Sequence, residues 1–316
     1  MEVVQQSVAR FTILRQPRVC TGAEGWILPS KKESCAPGGR CTSTDMFNAL
    51  RNSLNTIFVR VLLLALASCF LNGFVAGLDK IPRFRVVALA EHGGIHKPFV
   101  DAAKVWLGKL ASENNFTVDY IEDTQKIDDA FLAQYNLFIQ LNYPPYNWTD
   151  TSQAAFTKYI EEGKGGWIGF HHATLLGEFD GFPMWTWFHR FMGGVRFKNY
   201  IATFVTGTVT VEDKSHPAMK GIASPFVIEN EEWYTYDTTP RPSVHVLASV
   251  DENTYTPFTD QKMGDHPVIW TNKHYQARNI YIFMGHHPEL FDNQAFTLMF
   301  RNSIFWAAGQ QENREK

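Results

Sequence analysis

Trp167-Ile168-Gly169-Phe170-His171-His172-Ala173 is the stretch from which the fold of this chain is read. A short apolar run passes into Gly-Phe-His-His-Ala and then into residues able to turn helical, which predicts a buried strand running sharply into a helix. A residue at such a turn faces the crevice beyond the carboxyl end of a sheet. Open α/β sheets bind ligands in that crevice, and strained strand-to-helix turns present catalytic groups to it. The residue presented here is His171. Imidazole holds metals and moves protons near neutral pH but is seldom a lasting nucleophile, so the turn points to metal or acid–base chemistry.

Working outward, the pattern on both sides alternates strand and helix. Upstream, residues 84–90 read as a first strand followed by the loop Glu91-His92-Gly93-Gly94-Ile95-His96-Lys97-Pro98. Residues 99–114 read as a helix whose apolar face is Val100, Ala103, Val105, Trp106, Leu107 and Leu110. Residues 116–121 give a second strand, 128–134 a short helix and 137–141 a third strand. A helix over 151–163, capped by Asp150 or Thr151 and stopped by Gly163, leads into the fourth strand at 165–170. Strands and helices alternating at these spacings predict βαβ units around a parallel sheet covered on both faces.

Downstream the pattern changes. Residues 201–211 and parts of 244–250 alternate at period two, which predicts antiparallel additions and long loops. The α/β pattern resumes with Pro267-Val268-Ile269-Trp270 and with 279–283, which runs into Gly285-His286-His287; a closing helix spans 293–308. The fold expected is a three-layer αβα, flavodoxin-like arrangement with a mainly parallel sheet and antiparallel additions.

The N-terminal text reads differently. Residues 1–45 hold three of the four cysteines among Gly, Ser and Pro with no apolar period, and no packed fold is expected there. From Met46, Arg51 and Arg60 precede the apolar run 61–71 and the small residues Val75-Ala76-Gly77, the pattern of a secretory signal peptide. We therefore expect Met46 as the true start, residues 46–77 as a signal peptide, and residues 78–316 as a single exported domain, periplasmic or extracellular. Leu66-Ala67-Ser68-Cys69 is similar to a bacterial lipobox, so a lipid anchor through Cys69 is the alternative to cleavage near Gly77. The apolar run is short for a span of roughly 20 residues.

Composition excludes several classes. A formal net charge of −3 offers no general attraction for nucleic acid. All four cysteines (Cys20, Cys35, Cys41 and Cys69) precede the expected domain, so that domain has no cysteine nucleophile, thiolate metal site or internal disulfide. Gly93-Gly94 and Gly193-Gly194 lack phosphate-loop contexts, which argues against a nucleotide cofactor.

All eleven histidines lie from His92 onward. Three loops that each follow an apolar strand carry them: His92 and His96, then His171 and His172, then His286 and His287. In a parallel sheet these loops share one edge. Among the acidic residues of Ile228-Glu229-Asn230-Glu231-Glu232-Trp233-Tyr234, Glu232 is the carboxylate best placed to join them. His96, His171 and His286 with Glu232 would suit Zn, Mn or Fe(II). The aromatic residues Trp148, Trp185 and Trp187 read either as a sugar platform or as a hydrophobic lid on the sheet.

The ordered motifs Gly93-Gly94-Ile95-His96, Gly165-Gly166-Trp167-Ile168-Gly169-Phe170-His171, Gly193-Gly194-Val195-Arg196-Phe197, His216-Pro217-Ala218-Met219-Lys220-Gly221, Glu231-Glu232-Trp233-Tyr234 and Gly285-His286 resemble the ThuA-like, trehalose-utilisation family. The resemblance covers about residues 83–309 and implies the class I glutamine amidotransferase-like fold. It places His171 where the amidotransferases carry their nucleophilic cysteine, so glutamine hydrolysis through a thioester is excluded. Two positions depart from the family pattern: Tyr200 stands where a histidine is frequent, and Glu231 replaces an aspartate. The resemblance implies a carbohydrate substrate. With it, the histidine loops, the acidic run and the aromatic stretches give His171, Glu232 and His96 as the expected catalytic groups, His96, His171 and His286 as the expected metal ligands, and Trp148, Trp185, Trp187 and Tyr234 as the expected sugar contacts. A metal-assisted, hydrolase-like enzyme is the leading expectation. A non-catalytic sugar-binding protein, or a subunit partnering a sugar oxidoreductase, are the alternatives.

Overall fold

The computed structural model describes Val59 and residues 81–310 except 180. The leader, the signal peptide and the Cys69 anchor expected from sequence fall on residues outside that set, Val59 aside. Residues from 81 onward belong to one unit. No helix among the described residues is long and apolar enough to cross a membrane.

Eleven strands form among the described residues: β1 (Arg85–Ala90), β2 (Thr117–Ile121), β3 (Leu137–Leu141), β4 (Gly166–Phe170), β5 (Phe197–Tyr200), β6 (Val205–Val211), β7 (Phe226–Glu231), β8 (Tyr234–Tyr236), β9 (His245–Thr256), β10 (Pro267–Thr271) and β11 (Asn279–Ile282). Five α-helices accompany them: α1 (Lys97–Asn114), α2 (Asp129–Leu132), α3 (Asp150–Glu161), α4 (Thr186–Phe191) and α5 (Gln294–Ala307). Nine strands make one sheet in the order β2-β1-β3-β4-β11-β10-β9-β6-β7, and β5 pairs with β8 in a small second sheet. The first five strands of the large sheet are parallel. The remaining four add antiparallel.

Burial follows this division. Every residue of β3, β4 and β11 is buried, as a parallel sheet covered on both faces requires, while β6 alternates buried and part-exposed positions. Side chains on β4 alternate between the two layers. Phe170 packs on Phe99 of α1 and on Phe296 and Phe300 of α5. Trp167 packs on Phe188 and Phe191 of α4 and donates its indole N–H to Gln140 Oε1 at 3.2 Å. The indole lies across Gly169, where a Cβ would sit 2.1 Å from the ring, so only glycine fits there.

Several sequence expectations need correction. Pro267-Val268-Ile269-Trp270 forms a strand antiparallel to both neighbours; an apolar run buried on both faces carries no mark of direction. Val105 is exposed, since the contact face of α1 runs through Phe99, Val100, Ala103, Leu107 and Leu110. Thr149, one residue earlier than expected, caps α3 by accepting the Ser152 N–H. The strand expected from 201 starts at Val205, and β5, β7, β8 and α4 were not expected as elements.

Candidate metal centre

The carboxyl ends of β1, β3, β4 and β11 lie side by side in the middle of the sheet, and the chain leaves each of them with a polar residue. His96 stands at the head of α1, Asn142 just beyond β3, His171 at the first residue after β4, and His286 shortly after β11. Glu232 arrives from the antiparallel half, directly after β7. The topology therefore brings together His96, His171, Glu232 and His286, the first and last of which lie 190 residues apart in sequence.

Their geometry centres on one oxygen. Glu232 Oε2 lies 3.3 Å from His171 Nε2, 3.6 Å from His286 Nδ1 and 3.8 Å from His96 Nε2. All four side chains are buried. Metal–ligand distances of about 2.0–2.2 Å put the corners of a tetrahedron about 3.4 Å apart, close to these separations. His96 Nε2 and His286 Nδ1 are buried with no hydrogen-bond partner, an arrangement that is costly unless something sits between them and the carboxylate.

His171 is fixed from several directions. Its backbone lies at φ +36, the left-handed region that non-glycine residues enter under constraint. Its carbonyl accepts hydroxyl hydrogen bonds from Thr174 and Tyr281, each at 3.0 Å, and Thr174 and Tyr236 hydroxyls join the same network. Its Nδ1 lies 3.2 Å from the Phe283 carbonyl; a carbonyl only accepts, so Nδ1 carries the proton. Burial pushes the His171 imidazole well below its usual pKa, and Glu232 offsets this only in part. A neutral ring with the proton on Nδ1 leaves a lone pair on Nε2, aimed at Glu232.

Burial pushes the Glu232 carboxyl up, but the His171, His286 and His96 imidazoles outweigh it and hold the group well below the usual carboxylate range. An anionic oxygen thus faces the lone pair of a neutral imidazole. Both are electron donors, and a cation between them resolves the conflict. The proton on the far nitrogen, bonded to a backbone carbonyl, is the arrangement that orients metal-binding histidines. The residues present fit a divalent ion of the Zn, Mn or Fe class.

Other groups shape this site. Glu231 is buried, and burial pushes its carboxyl up to about 8; it accepts the Glu232 N–H at 3.0 Å and the Gly285 N–H at 3.2 Å. Asn142, at φ +57, donates its amide to the Gly285 carbonyl. Phe204 lies against His286 and His287, with ring centroids 4.7 and 4.8 Å away. Beyond Phe204 opens a groove of about 730 Å³, lined in part by Thr203, Glu229, Asn230, Glu289 and Asp292. A larger cavity of about 950 Å³ lies where α1 ends beside α5, around Arg83, Lys109 and Asn115, at the opposite edge of the sheet. It contains none of the histidines.

The aromatic residues expected to contact sugar sit elsewhere. Trp148 and Trp185 are buried against each other and Phe156. Trp187 is half-buried on Phe191 and Tyr275, its N–H donated to Glu161. The Trp148 and Trp185 rings fill the layer between α3, α4 and the sheet and present no open face for a sugar, because β4 and α4 demand bulky apolar cover there, whereas Trp187 keeps part of its surface exposed. Tyr234 is buried with its ring 4.3 Å from that of His171, behind the site. Glu91, Asn142, Phe204 and Glu231 were missed as site residues from sequence. Only Glu91 and Glu231 carried a signal, as carboxylates in the histidine-bearing loop and the acidic run.

Comparison with known proteins is consistent with this fold. The family model for ThuA, described as trehalose utilisation, matches residues 85–307. Among solved structures, the chain is similar to a ThuA-like protein from Bacteroides uniformis, with 32% identity and a TM-score of 0.64, covering 72% of this chain and 92% of that one. It is also similar to a ThuA-like protein from Parabacteroides merdae, with 16% identity and a TM-score of 0.53 over 74% of this chain and 94% of that one; this second likeness shows the fold alone. No curated protein matches.

Proposed function

The chain belongs to the ThuA family of trehalose utilisation, and from that premise we propose that it is a metal-assisted, hydrolase-like enzyme acting on a sugar or glycoside. The observation that carries the reading is the lone pair of His171 Nε2 facing the ionised Glu232 across 3.3 Å, with two further unpartnered imidazole nitrogens aimed at the same oxygen. A divalent ion bound there would polarise a substrate oxygen as a Lewis acid.

The protein groups have separable tasks. His171, locked by the Phe283 carbonyl and the Thr174 and Tyr281 hydroxyls, holds its donor atom in place. Glu231 fixes the Glu232 and Gly285 backbones. If all four side chains bind the ion, a five- or six-coordinate metal such as Mn or Fe(II) keeps a position for substrate; if the imidazoles alone bind, Glu232 remains as general base. The groove past Phe204 offers carboxylates and an amide to sugar hydroxyls and one aromatic face, the mixture that polyhydroxylated ligands match. Export through the 46–77 segment belongs to the same proposal, and N-terminal sequencing of the secreted protein tests it.

The functional test is elemental analysis and glycoside turnover for wild type, His171→Ala and Glu232→Gln. Near-stoichiometric metal in wild type, lost in His171→Ala together with turnover, is the expected result. Metal retained in Glu232→Gln with turnover lost would assign Glu232 as base. A wild-type protein that takes up no metal after supplementation refutes the reading. Sugar affinity that survives both chelation and His171→Ala would make the chain a binding protein instead.

A further inference from the structure

His96 has a second face. Its Nε2 looks toward Glu232, while Nδ1, on the diverging side of the ring, lies 3.7 Å from Glu91 Oε2. The same Glu91 oxygen lies 3.2 Å from His172 Nδ1, and the His96 and His172 rings meet edge to face with centroids 4.0 Å apart. We propose that Glu91, His172 and His96 Nδ1 form a second divalent-cation seat, so that the His96 ring is shared between two ions. The proposal rests on the reading of the first seat only through His96.

The contacts do not work as a hydrogen-bonded pair of histidines on a carboxylate. The His96 to Glu91 separation is beyond hydrogen-bond range. Although Glu91 Oε2 and His172 Nδ1 are near each other, both are buried atoms without a hydrogen-bond partner. Their directions are wrong for a shared proton, yet the ligand atoms of Glu91, His96 and His172 all fall within 4.8 Å of one another. Two imidazole nitrogens and one carboxylate oxygen make a donor set for Zn or Mn. A tetrahedral ion there keeps its fourth position for water or substrate.

The two seats differ in access. His171 is sealed in the first, whereas the side chains of His172 and Glu91 are 12% and 19% exposed. The second seat is therefore the one nearer solvent and the one that exchanges its ion faster. His172 comes from the same turn as His171, and Glu91 from the end of β1, so the seat uses the same sheet edge without borrowing Glu232 or His286. Filling both seats takes the remaining ring proton of His96 into solvent.

The experiment is metal stoichiometry of the full chain loaded with Mn(II) and freed of excess by gel filtration, with electron paramagnetic resonance on the same samples. Wild type should hold two ions with a spin-coupled spectrum. Glu91→Gln and His172→Gln should each hold one, with an uncoupled signal and unchanged circular dichroism. One ion in wild type, undiminished in both variants, overturns the second seat and leaves the first reading intact. No bound ion in wild type overturns both. Weakening of a single ion by about 10–100-fold in Glu91→Gln, with no second ion at any Mn(II) concentration, would make Glu91 an orienting partner of His96 and also overturns the proposal.

Discussion

Gly285→Ala tests how tightly the backbone around the histidines is packed. A Cβ at Gly285 would lie 2.7 Å from His171 Cβ and 2.8 Å from Asn142 Oδ1. The first contact is about 0.7 Å shorter than the 3.4 Å at which ordinary van der Waals contact begins. Neither neighbour retreats cheaply. Asn142 and His171 both stand at positive φ, Asn142 bonds the Gly285 carbonyl, and His171 is tied at Nδ1 and at its own carbonyl. Overpacking of this kind costs about 1–3 kcal/mol. For a unit of this size each kcal/mol is worth roughly 2–4 °C in Tm, so a fall of roughly 2–12 °C is expected.

The same methyl presses on the His171 Cβ and so disturbs the aim of its ring at Glu232, and metal affinity should drop by about 10-fold or more. Gly108→Ala is the control. Gly108 lies inside α1, and a Cβ there meets nothing within 4 Å, so this change should stabilise by about 0.8–1 kcal/mol and leave metal binding alone. Urea denaturation and metal titration of the two variants read both effects. Wild-type stability and affinity in Gly285→Ala would refute the claim that the site is sterically preorganised.

Three further outcomes follow from the structure. His216 accepts the Ala218 N–H on Nδ1 and packs its ring on Trp306; burial lowers its pKa to about 4 from 6.5. The unfolded chain therefore binds a proton that the folded chain refuses as pH falls from 6.5 toward 4. Stability should decline by about 1–2 kcal/mol over that window once part-exposure is discounted, and His216→Asn should flatten the decline in urea titrations at pH 7 and 5. Asn293 caps α5 by accepting the Ala295 and Phe296 N–H groups, so Asn293→Ala should cost about 1 kcal/mol, measured by the same denaturation. Phe204→Ala removes the ring over His286 and should speed metal loss to a chelator several-fold with little change in Tm; an unchanged rate would mean that ions enter by another path.

The parallel half of the sheet was legible because its strands are continuous apolar runs ended by polar loops. β3 matches its sequence reading residue for residue, and β1, β4 and β11 agree within a residue or so. The antiparallel half was harder. β7 exposes three of its six residues, so Phe226-Val227-Ile228-Glu229-Asn230-Glu231 reads as an acidic run rather than a strand. The histidines were found because loops after strands of a parallel sheet share an edge, a property of topology. Which aromatic faces solvent is not, and the buried positions of Trp148 and Trp185 depend on how α3 and α4 settle on β3 and β4. Asn142 left no trace: a single asparagine after a strand looks like any turn residue until the backbone shows positive φ.

The strain at His171 ties these observations together. A non-glycine residue in the left-handed region costs of order 1–3 kcal/mol and persists only where its surroundings over-determine it. Here the surroundings are identifiable: two hydroxyls on the carbonyl, a backbone acceptor on Nδ1, Tyr234 against the ring, and Gly285 leaving room for Cβ. None of these contacts touches Nε2 except Glu232. A purely structural histidine would satisfy both of its nitrogens with fitted partners, whereas this one spends its constraints on aiming a lone pair at an anion. The same asymmetry appears at His96 and His286, each buried with an unpartnered nitrogen turned to that carboxylate. Three rings from three strand ends would not converge in this way to build a core, since three apolar side chains would fill the space without unsatisfied polar atoms. The proposed cation seat accounts for this arrangement, with the left-handed backbone of His171 holding the ring that enters at the sheet's central turn.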